Sequence, residues 1–474
     1  MNHKPLQYES LKAVLLYMDA NVRYSSEIFK VLFQFLYSTF RFRISHRLPS
    51  IRSIEKIVPL KIRYLNLDEF RTIVNALIYR FGVYREYNSG EEVPKLIQDD
   101  NDEGGVQHDL DRYGFQISPN HSVLNPGDVL LGNLTDDVQF DTLRRERALE
   151  AEINRYEKAI FLLNNPEEVE DPPEEYVDDD AAIEAYELAE AMKRPVESLK
   201  TDLDYSRTDF LPFECRRYNR EPPYTCYIQL TVHSPSGKQI HRLPYRMKLY
   251  EAVKRFNTLL FGGRRSTLAV MRFQLDTSST VLRLPVGFQV KMKYLSSIFG
   301  LTGPYDGVIS MIDPACVALA EIQIHVYREK DLEYHFIRSA KKLIIQHTSR
   351  RREMIAALIN LPNHLISLVI SDPEFTAENY FELVQNWRNN DRPVGSCFSI
   401  GIQQEVEPVN ALFQMMTERW EETKRNDRYA SIPTRNGNIL EVLYEPKEEP
   451  RSRGQWEFAY HDEWIFRARI IEME

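Results

Sequence analysis

The chain contains few cysteines and no long apolar run. Its four cysteines, at positions 215, 226, 316 and 397, lie far apart and form no Cys-x-x-Cys pair, which argues against a disulfide scaffold. Residues 24–42 are rich in aromatic side chains, but Glu27, Lys30 and Gln34 make them too polar for a membrane span. Residues 1–5 lack the apolar core of a signal peptide. We therefore expect an intracellular protein, cytoplasmic or nuclear, without a membrane partner.

The motifs of common enzymes are also missing. The sequence has no His-Glu-x-x-His, Gly-x-Ser-x-Gly or Walker A motif. His108 lies near Asp109 and Asp111, but no second ligand cluster follows at a metal-binding spacing. Residues 99–104 look like the start of a calcium loop, yet Leu110 stands where the bidentate glutamate is required. We predict no enzyme, no metal and no cofactor, and keep an unrecognised hydrolase as a third hypothesis.

Positive charge is in deficit. The 474 residues include 70 acidic and 60 basic side chains, for a net charge of −10, whereas a general nucleic-acid binder needs a basic stripe. We therefore predict that nucleic acid is not a partner. Hydrophobic content of 43% and charged content of 27% are ordinary for a globular protein. The length allows about two to four domains.

The second half of the chain repeats the spacing apolar-x-x-apolar-x-apolar, usually with a helical pattern after it. Such repetition is typical of stacked strand–helix units, as in leucine-rich repeats. We predict an α/β fold: an irregular leucine-rich-repeat-like strand–helix stack with antiparallel C-terminal strands, preceded by a mixed α+β N-terminal region. Five copies carry the pattern, beginning at Leu268, Leu319, Ala340, Leu365 and Cys397.

Because alternate side chains of a strand face opposite sides, the copies predict one apolar and one polar face. The apolar positions, such as Met271, Ile370 and Ile402, would face the helices. The polar face is either a concave partner-binding surface or a solvated sheet face, and the sequence leaves both open. The candidate partner-binding residues are Arg272, Gln274, Glu321, Gln323, Lys342, Gln346, Ser367, Ser371, Ser399 and Gln403.

Other segments show conventional patterns. Residues 6–21 form an amphipathic helix by spacing, and a charged helix is expected from about residue 141 to 163. Residues 166–180 carry nine acids and no base, with three prolines, which predicts a solvated linker. A hairpin is expected over residues 226–245. A helix should follow over residues 249–261, ended by Gly262 and Gly263.

Several longer segments together resemble the nematode F-box C proteins, a family with an F-box-associated domain of unknown function. The resemblance covers most of the chain, and none of its motifs is catalytic. The residues that carry it are Pro5-Leu6-x-Tyr8-x-Ser10-Leu11-Lys12-x-Val14-Leu15, residues 104–115 (GGVQHDLDRYGF), 126–130 (PGDVL), 222–231 (PPYTCYIQLT), 260–265 (LFGGRR) and 282–287 (LRLPVG).

The resemblance implies an adaptor that recruits an unknown protein substrate to a Skp1-cullin ubiquitin ligase. A plain interaction protein without a ligase connection is the alternative. The implied division is a degenerate F-box-like segment (1–62), a small α+β region (63–165), an acidic linker and connecting segment (166–221) and an F-box-associated domain (222–474). A Skp1-like subunit would dock on Leu6, Leu11, Val14, Leu15 and Met18.

Residues 24–42 have no place in the family pattern. They hold seven aromatic side chains, and their bias toward Phe, Tyr, Ile, Leu and Lys is typical of translated AT-rich non-coding sequence. The segment is either an unremoved intron or a genuine insertion. Transcript reads across these codons distinguish the two.

Overall fold

The computed structural model describes residues 56–88, 90, 92–117, 124–131, 142–165, 180–275, 281–297, 305–316, 318–326, 328–348, 352–369, 375–402, 406–447 and 463–473. The predicted α/β class is confirmed. The chain forms two compact units. The first comprises residues 1–76, 126–133 and 257–474, and the second comprises residues 77–125 and 134–256. The predicted Skp1-docking residues and residues 24–42 lie outside the described part.

The first unit is built on one mixed sheet. Its strands lie in the order β16-β17-β18-β19-β15-β14-β13-β12-β11-β9-β1-β2, and the run from β1 to β15 is parallel. The strands are β1 (Lys61–Leu67), β2 (Arg71–Val74), β9 (Leu268–Leu275), β11 (Val290–Ser297), β12 (Glu321–Val326), β13 (Lys342–Thr348), β14 (Leu365–Leu368), β15 (Cys397–Ile402), β16 (Lys424–Asn426), β17 (Tyr429–Pro433), β18 (Ile439–Pro446) and β19 (Trp464–Ile471).

Helices connect most of the parallel strands, as the repeat spacing predicts. Thr376 accepts a hydrogen bond from the backbone of Asn379 and so caps the first turn of the helix Ala377–Asn389. The helices of the described residues are α1 (Lys95–Asp102), α2 (Leu143–Asn164), α3 (Asp180–Met192), α4 (Val196–Arg217), α5 (Leu249–Phe261), α6 (Asp306–Met311), α7 (His335–Arg338), α8 (Arg352–Ile359), α9 (Ala377–Asn389) and α10 (Glu407–Arg419).

One apolar row crosses the sheet of the first unit and forms the centre of its core. Its residues lie directly opposite one another on successive paired strands, and each is at most 4% exposed. Trp387 of α9 packs edge-on against Phe398, and Tyr380 contacts Phe466, so helices cover this face. The row is Leu65, Phe273, Leu295, Ile322, Leu343, Ile366, Phe398, Ala468, Val442 and Ala430.

The sequence copies are not all in the same register. Ile324 pairs with Ile345, and Ile345 pairs with Leu368, so the copies at Leu365 and Cys397 are displaced by two residues relative to those at Leu319 and Ala340. A displacement of two keeps the same face, since the side-chain period of a strand is two. The prediction for Met271 was wrong: its side chain is 53% exposed. Ile370 lies outside the described residues.

The C-terminal strands close the parallel run in antiparallel fashion, as predicted. β19 pairs antiparallel with both β15 and β18, and β17 continues the meander. This arrangement covers the backbone edge of β15 that would otherwise be open for pairing with another chain.

The second unit contains its own antiparallel strands. β3 (Leu77–Tyr87), β7 (Tyr224–Ser234) and β8 (Gly237–Pro244) pair in that order, and β7–β8 is the predicted hairpin. The short strands β4 (Asp109–Leu110) and β5 (Gln116–Ile117) pair antiparallel with each other. The predicted charged helix forms as α2, and α5 has the predicted bounds, with Gly263 at φ 67° after its end. The segment 180–217, which we expected to be a connecting segment, forms the helices α3 and α4.

Two of the resemblance motifs meet in the first unit. β6 (Val129–Leu130) pairs antiparallel with β10 (Val281–Leu282). Next to this pair, Nη1 of Arg283 lies 2.8 Å from Oδ2 of Asp128, and the two side chains are 2% and 0% exposed. The backbone carbonyl of Arg283 also accepts a hydrogen bond from Asn257 at 2.9 Å. Each motif therefore contributes one residue to a buried ion pair.

We expect Asp128→Asn to lower the free energy of unfolding by about 3–5 kcal/mol, because it leaves the Arg283 guanidinium buried without its counter-charge. Urea unfolding followed by far-UV circular dichroism measures the change. The control is Lys200→Ala, which removes the exposed ion pair with Glu197 and should leave the midpoint unchanged. Equal midpoints for Asp128→Asn and the unmodified chain would contradict the prediction.

Candidate interaction surface

The strands β1, β9 and β11 share a break in side-chain alternation. Their inward residues are three positions apart where a regular strand would place them two apart, so two consecutive side chains face outward on each strand. The breaks are in register, because Tyr64 pairs with Arg272 and Arg272 pairs with Tyr294. The outward pairs are Arg63 with Tyr64, Met271 with Arg272, and Lys293 with Tyr294.

Asn75 supports the break on β1. Its backbone has φ 55°, in the left-handed region that asparagine tolerates better than most residues. Its side-chain Oδ1 accepts hydrogen bonds from the backbone N–H groups of Arg63 and Tyr64 at 2.9 and 3.1 Å. Its own backbone N–H donates to the Tyr64 carbonyl at 2.7 Å. The backbone N–H groups of Arg63 and Tyr64 therefore both have a hydrogen-bond acceptor, which is a side chain and not the backbone of a neighbouring strand.

The outward side chains form a cluster that we call the basic patch. Arg272 lies 5.3 Å from the ring centroid of Tyr294, and Met271 is 53% exposed. Lys291 approaches Asp313 at 3.7 Å. Within the described ranges no carboxylate lies within 4.0 Å of the charged groups of the other four cations. The basic patch consists of Lys61, Arg63, Arg272, Lys291 and Lys293 with Tyr64, Tyr294 and Met271.

The predicted polar face continues from β9 across β12 and β13. The hydroxyl of Tyr64 donates to Oε1 of Gln274 at 2.8 Å. Lys342 lies 3.7 Å from Glu321, and both are partly buried. Gln323 and Gln346 are also partly buried on this face. Charges in this middle region are therefore paired within the protein.

Toward the C-terminal strands the face becomes closed. Ser367 and Ser399 are 4% and 3% exposed, and Ser399 accepts a hydrogen bond from Arg467 at 3.2 Å. Arg467 also contacts Glu445 at 2.6 Å. Cys397, which we expected in the core, lies on this polar face and is partly exposed, because it is an odd number of residues from the inward-facing Phe398 and Ile400. The candidates Ser371 and Gln403 lie outside the described residues.

Sequence analysis missed most of the basic patch. Lys61, Arg63, Lys291 and Lys293 belong to strands that do not show the repeat spacing. A signal was nevertheless present: residues 61–65 read KIRYL and residues 291–295 read KMKYL. This local similarity identifies two strands with the same break in alternation, far apart in the chain but both adjacent to β9.

The resemblance motif at residues 104–115 connects several elements of the second unit through hydrogen bonds and close backbone contacts. Asp109 is buried, and its Oδ1 accepts hydrogen bonds from the Tyr245 hydroxyl and from the backbone N–H of Leu249, both at 2.5 Å. Leu249 is the first residue of α5, so the carboxylate satisfies a donor at the positive end of that helix. A side chain at Gly105 would lie 2.6 Å from the Val83 backbone, which explains the glycine there.

His108 precedes Asp109 in the sequence and is partly buried. Burial and, as the smaller cause, the positive charge of Arg85 together lower the pKa of its imidazole from 6.5 to about 4. Arg85 is itself paired with Asp100. Among the described residues no group of three or more His, Cys, Asp or Glu side chains is arranged to hold a metal. The histidine is therefore a partly buried group of the motif that is neutral at pH 7.

A cleft of about 580 Å³ lies in the second unit between α2 and α4. Acidic side chains dominate its polar lining, and Arg207 in the wall is paired with Glu157 at 2.7 Å. Asp204 accepts a hydrogen bond from the backbone of Lys95 at 2.8 Å. Because these polar groups have internal partners, we regard the basic patch as the stronger candidate site.

The comparisons with known proteins concern part of the chain. A family model described as a domain of unknown function (DUF3557) matches residues 248–404. The matched segment covers α5 and the parallel strands from β9 to β15. No curated protein and no solved structure matches the chain. In the described ranges no helix has the length and apolar character needed to cross a membrane.

We expect Asn75→Ala to lower the free energy of unfolding by about 1–3 kcal/mol. The change removes the acceptor for two backbone N–H groups and places alanine in the left-handed region. Asn75→Gly is the matched comparison, because glycine relieves the backbone strain but not the lost acceptor. Urea midpoints should rank the unmodified chain first, Asn75→Gly second and Asn75→Ala third. A different order would show that the side chain does not support the break.

We expect His108 to make stability depend on pH. Its pKa is depressed in the folded state, so its contribution is complete above about pH 6.5 and is lost as the pH falls toward 4. Urea midpoints at pH 7 and pH 5 measure this loss. In His108→Gln the midpoint should fall less between the two values, while the same replacement at exposed His335 should behave like the unmodified chain.

Proposed function

We propose that the chain is a non-enzymatic protein-interaction adaptor that binds its partner through the polar sheet face of the first unit. The observation that carries the proposal is that Arg272 and Met271 are exposed, with the partly exposed Tyr64 and Tyr294 beside them on the neighbouring strands. Tyrosine, arginine and methionine are enriched in the binding surfaces of proteins relative to the rest of the surface. Helix α9 packs against the opposite face at Phe398 and Phe466, so we assign partner binding to the polar face.

Parallel strands and intervening helices give such a surface its rigidity. The apolar row fixes the position of each strand, and Arg272 is oriented by the ring of Tyr294. A rigid array loses little conformational entropy on binding. Stacked strand–helix arrays commonly present their sheet as an extended binding surface.

We further propose that the adaptor acts in ubiquitin ligation, as the resemblance to the F-box C proteins implies. In this proposal a Skp1-like subunit docks on Leu6, Leu11, Val14, Leu15 and Met18, and the sheet face binds the protein substrate. The support is the set of resemblance motifs together with the match of residues 248–404 to a domain of unknown function. The alternative is an intracellular interaction protein that uses the same face without a ligase.

Affinity purification of the tagged full chain distinguishes the two proposals. We expect Skp1-like and cullin subunits to co-purify with the unmodified chain, and Leu11→Glu with Leu15→Glu to abolish their recovery, because charges would replace the apolar docking positions. Lys12→Glu is the matched control on the predicted polar side of the same helix. Recovery of partner proteins without any Skp1-like subunit would leave the ligase-independent alternative.

A further inference from the structure

We propose that the basic patch binds an extended acidic segment of a partner protein. The inference rests on the proposed function, since it names the class of ligand for the same sheet face. It comes from the charge of the patch, from the spacing of its cations and from the apolar surface among them.

The charge of the basic patch is opposite in sign to the net charge of the chain. The chain has a net charge of −10, yet five cations lie on three adjacent strands. In the described residues only Lys291 among them has a carboxylate within 4.0 Å. On the C-terminal part of the same face, by contrast, Arg467 pairs with Glu445 and Arg469 pairs with Glu441. Among the described residues, the basic patch therefore offers uncompensated positive charge to a ligand, whereas Arg467 and Arg469 are neutralised by their partners.

The spacing of the cations fits an extended peptide. Lys61 and Arg63 are two residues apart on β1, and Lys291 and Lys293 are two residues apart on β11, a separation of roughly 7 Å. The two strands flank β9, so the pairs are roughly 10 Å apart across the sheet. An extended peptide presents alternate side chains at the same spacing of roughly 7 Å. Glutamates at alternate positions can thus reach cations on both sides of β9.

The centre of the basic patch favours a peptide over nucleic acid. Met271 is 53% exposed between the two cation pairs, with Tyr64 and Tyr294 on either side. Their apolar surfaces can pack against the methylene groups of the glutamates that face the patch and against the peptide backbone. A nucleic acid would present a denser negative charge, which the net charge of −10 opposes beyond the patch.

Fluorescence anisotropy with the full-length protein tests the proposal. The probe is a fluorescein-labelled peptide with the sequence Glu-Leu-Glu-Leu-Glu between Gly-Ser ends. The comparison ligands are the same peptide with glutamine for glutamate and a single-stranded oligothymidine of similar length. We expect the glutamate peptide to bind, with an affinity that falls as salt rises, and the glutamine peptide to bind at least about tenfold more weakly.

Variants assign the binding to the patch. The double change Arg272→Glu with Lys293→Glu should weaken binding of the glutamate peptide at least about tenfold. The control, Lys330→Glu with Arg338→Glu, alters net charge equally at exposed positions in the helical connection between β12 and β13 and should leave the affinity unchanged. Circular dichroism and urea midpoints establish that all variants are folded.

Three results would overturn the inference: equal binding of the two peptides, equal effects of the two double variants, or tighter binding of oligothymidine than of the glutamate peptide. Any of these can occur while partner proteins still co-purify with the chain. In that case the adaptor proposal stands, and only its acidic ligand is wrong. Conversely, the glutamate peptide can bind the chain while no Skp1-like subunit co-purifies with it. In that case the ligase proposal is wrong and the acidic ligand stands.

Discussion

The apolar row from Leu65 to Ala430 is the constraint on which the rest of the first unit depends. A sheet must bury at least one face, and every residue of this row is nearly inaccessible to water. Because side chains alternate, burying this row fixes which residues occupy the other face. The helices α9 and α10 supply the covering layer, with Trp387 and Phe413 fully buried. The position of the polar face is thus a consequence of the core.

The repeat spacing was sufficient to predict the α/β class and the parallel run from β9 to β15, because local apolar periodicity determines the type of element. It could not reveal the displacement of the copies at Leu365 and Cys397, since a shift by two leaves the face unchanged. The repeat spacing also could not predict the position of β1 in the sheet. This strand begins near residue 61 but pairs in parallel with β9, near residue 270. Pairing between distant segments is set by the whole core and not by local pattern.

The candidate site was predictable to a smaller extent. Arg272 and Gln274 were identified, but strict alternation assigned Met271 to the core and overlooked Arg63 and Lys293. The reason is the shared break, which places two consecutive side chains on the same face. Such a break needs three strands in register and the Asn75 side chain to satisfy the backbone. Neither condition can be recognised from one strand considered alone.

The break also explains why charge accumulates at one end of the face. A regular strand offers one outward side chain for every two residues, whereas β1, β9 and β11 each offer two in succession. Five cations and two tyrosines can therefore lie close together without disturbing the buried row beneath them. On β19 and β18, where the strands are regular, the exposed Arg469 has a carboxylate on the next strand, Glu441. Like charges on neighbouring strands repel each other, so the basic patch is destabilising by itself. The rigid core beneath the strands keeps the cations in position, where they can bind an anionic partner.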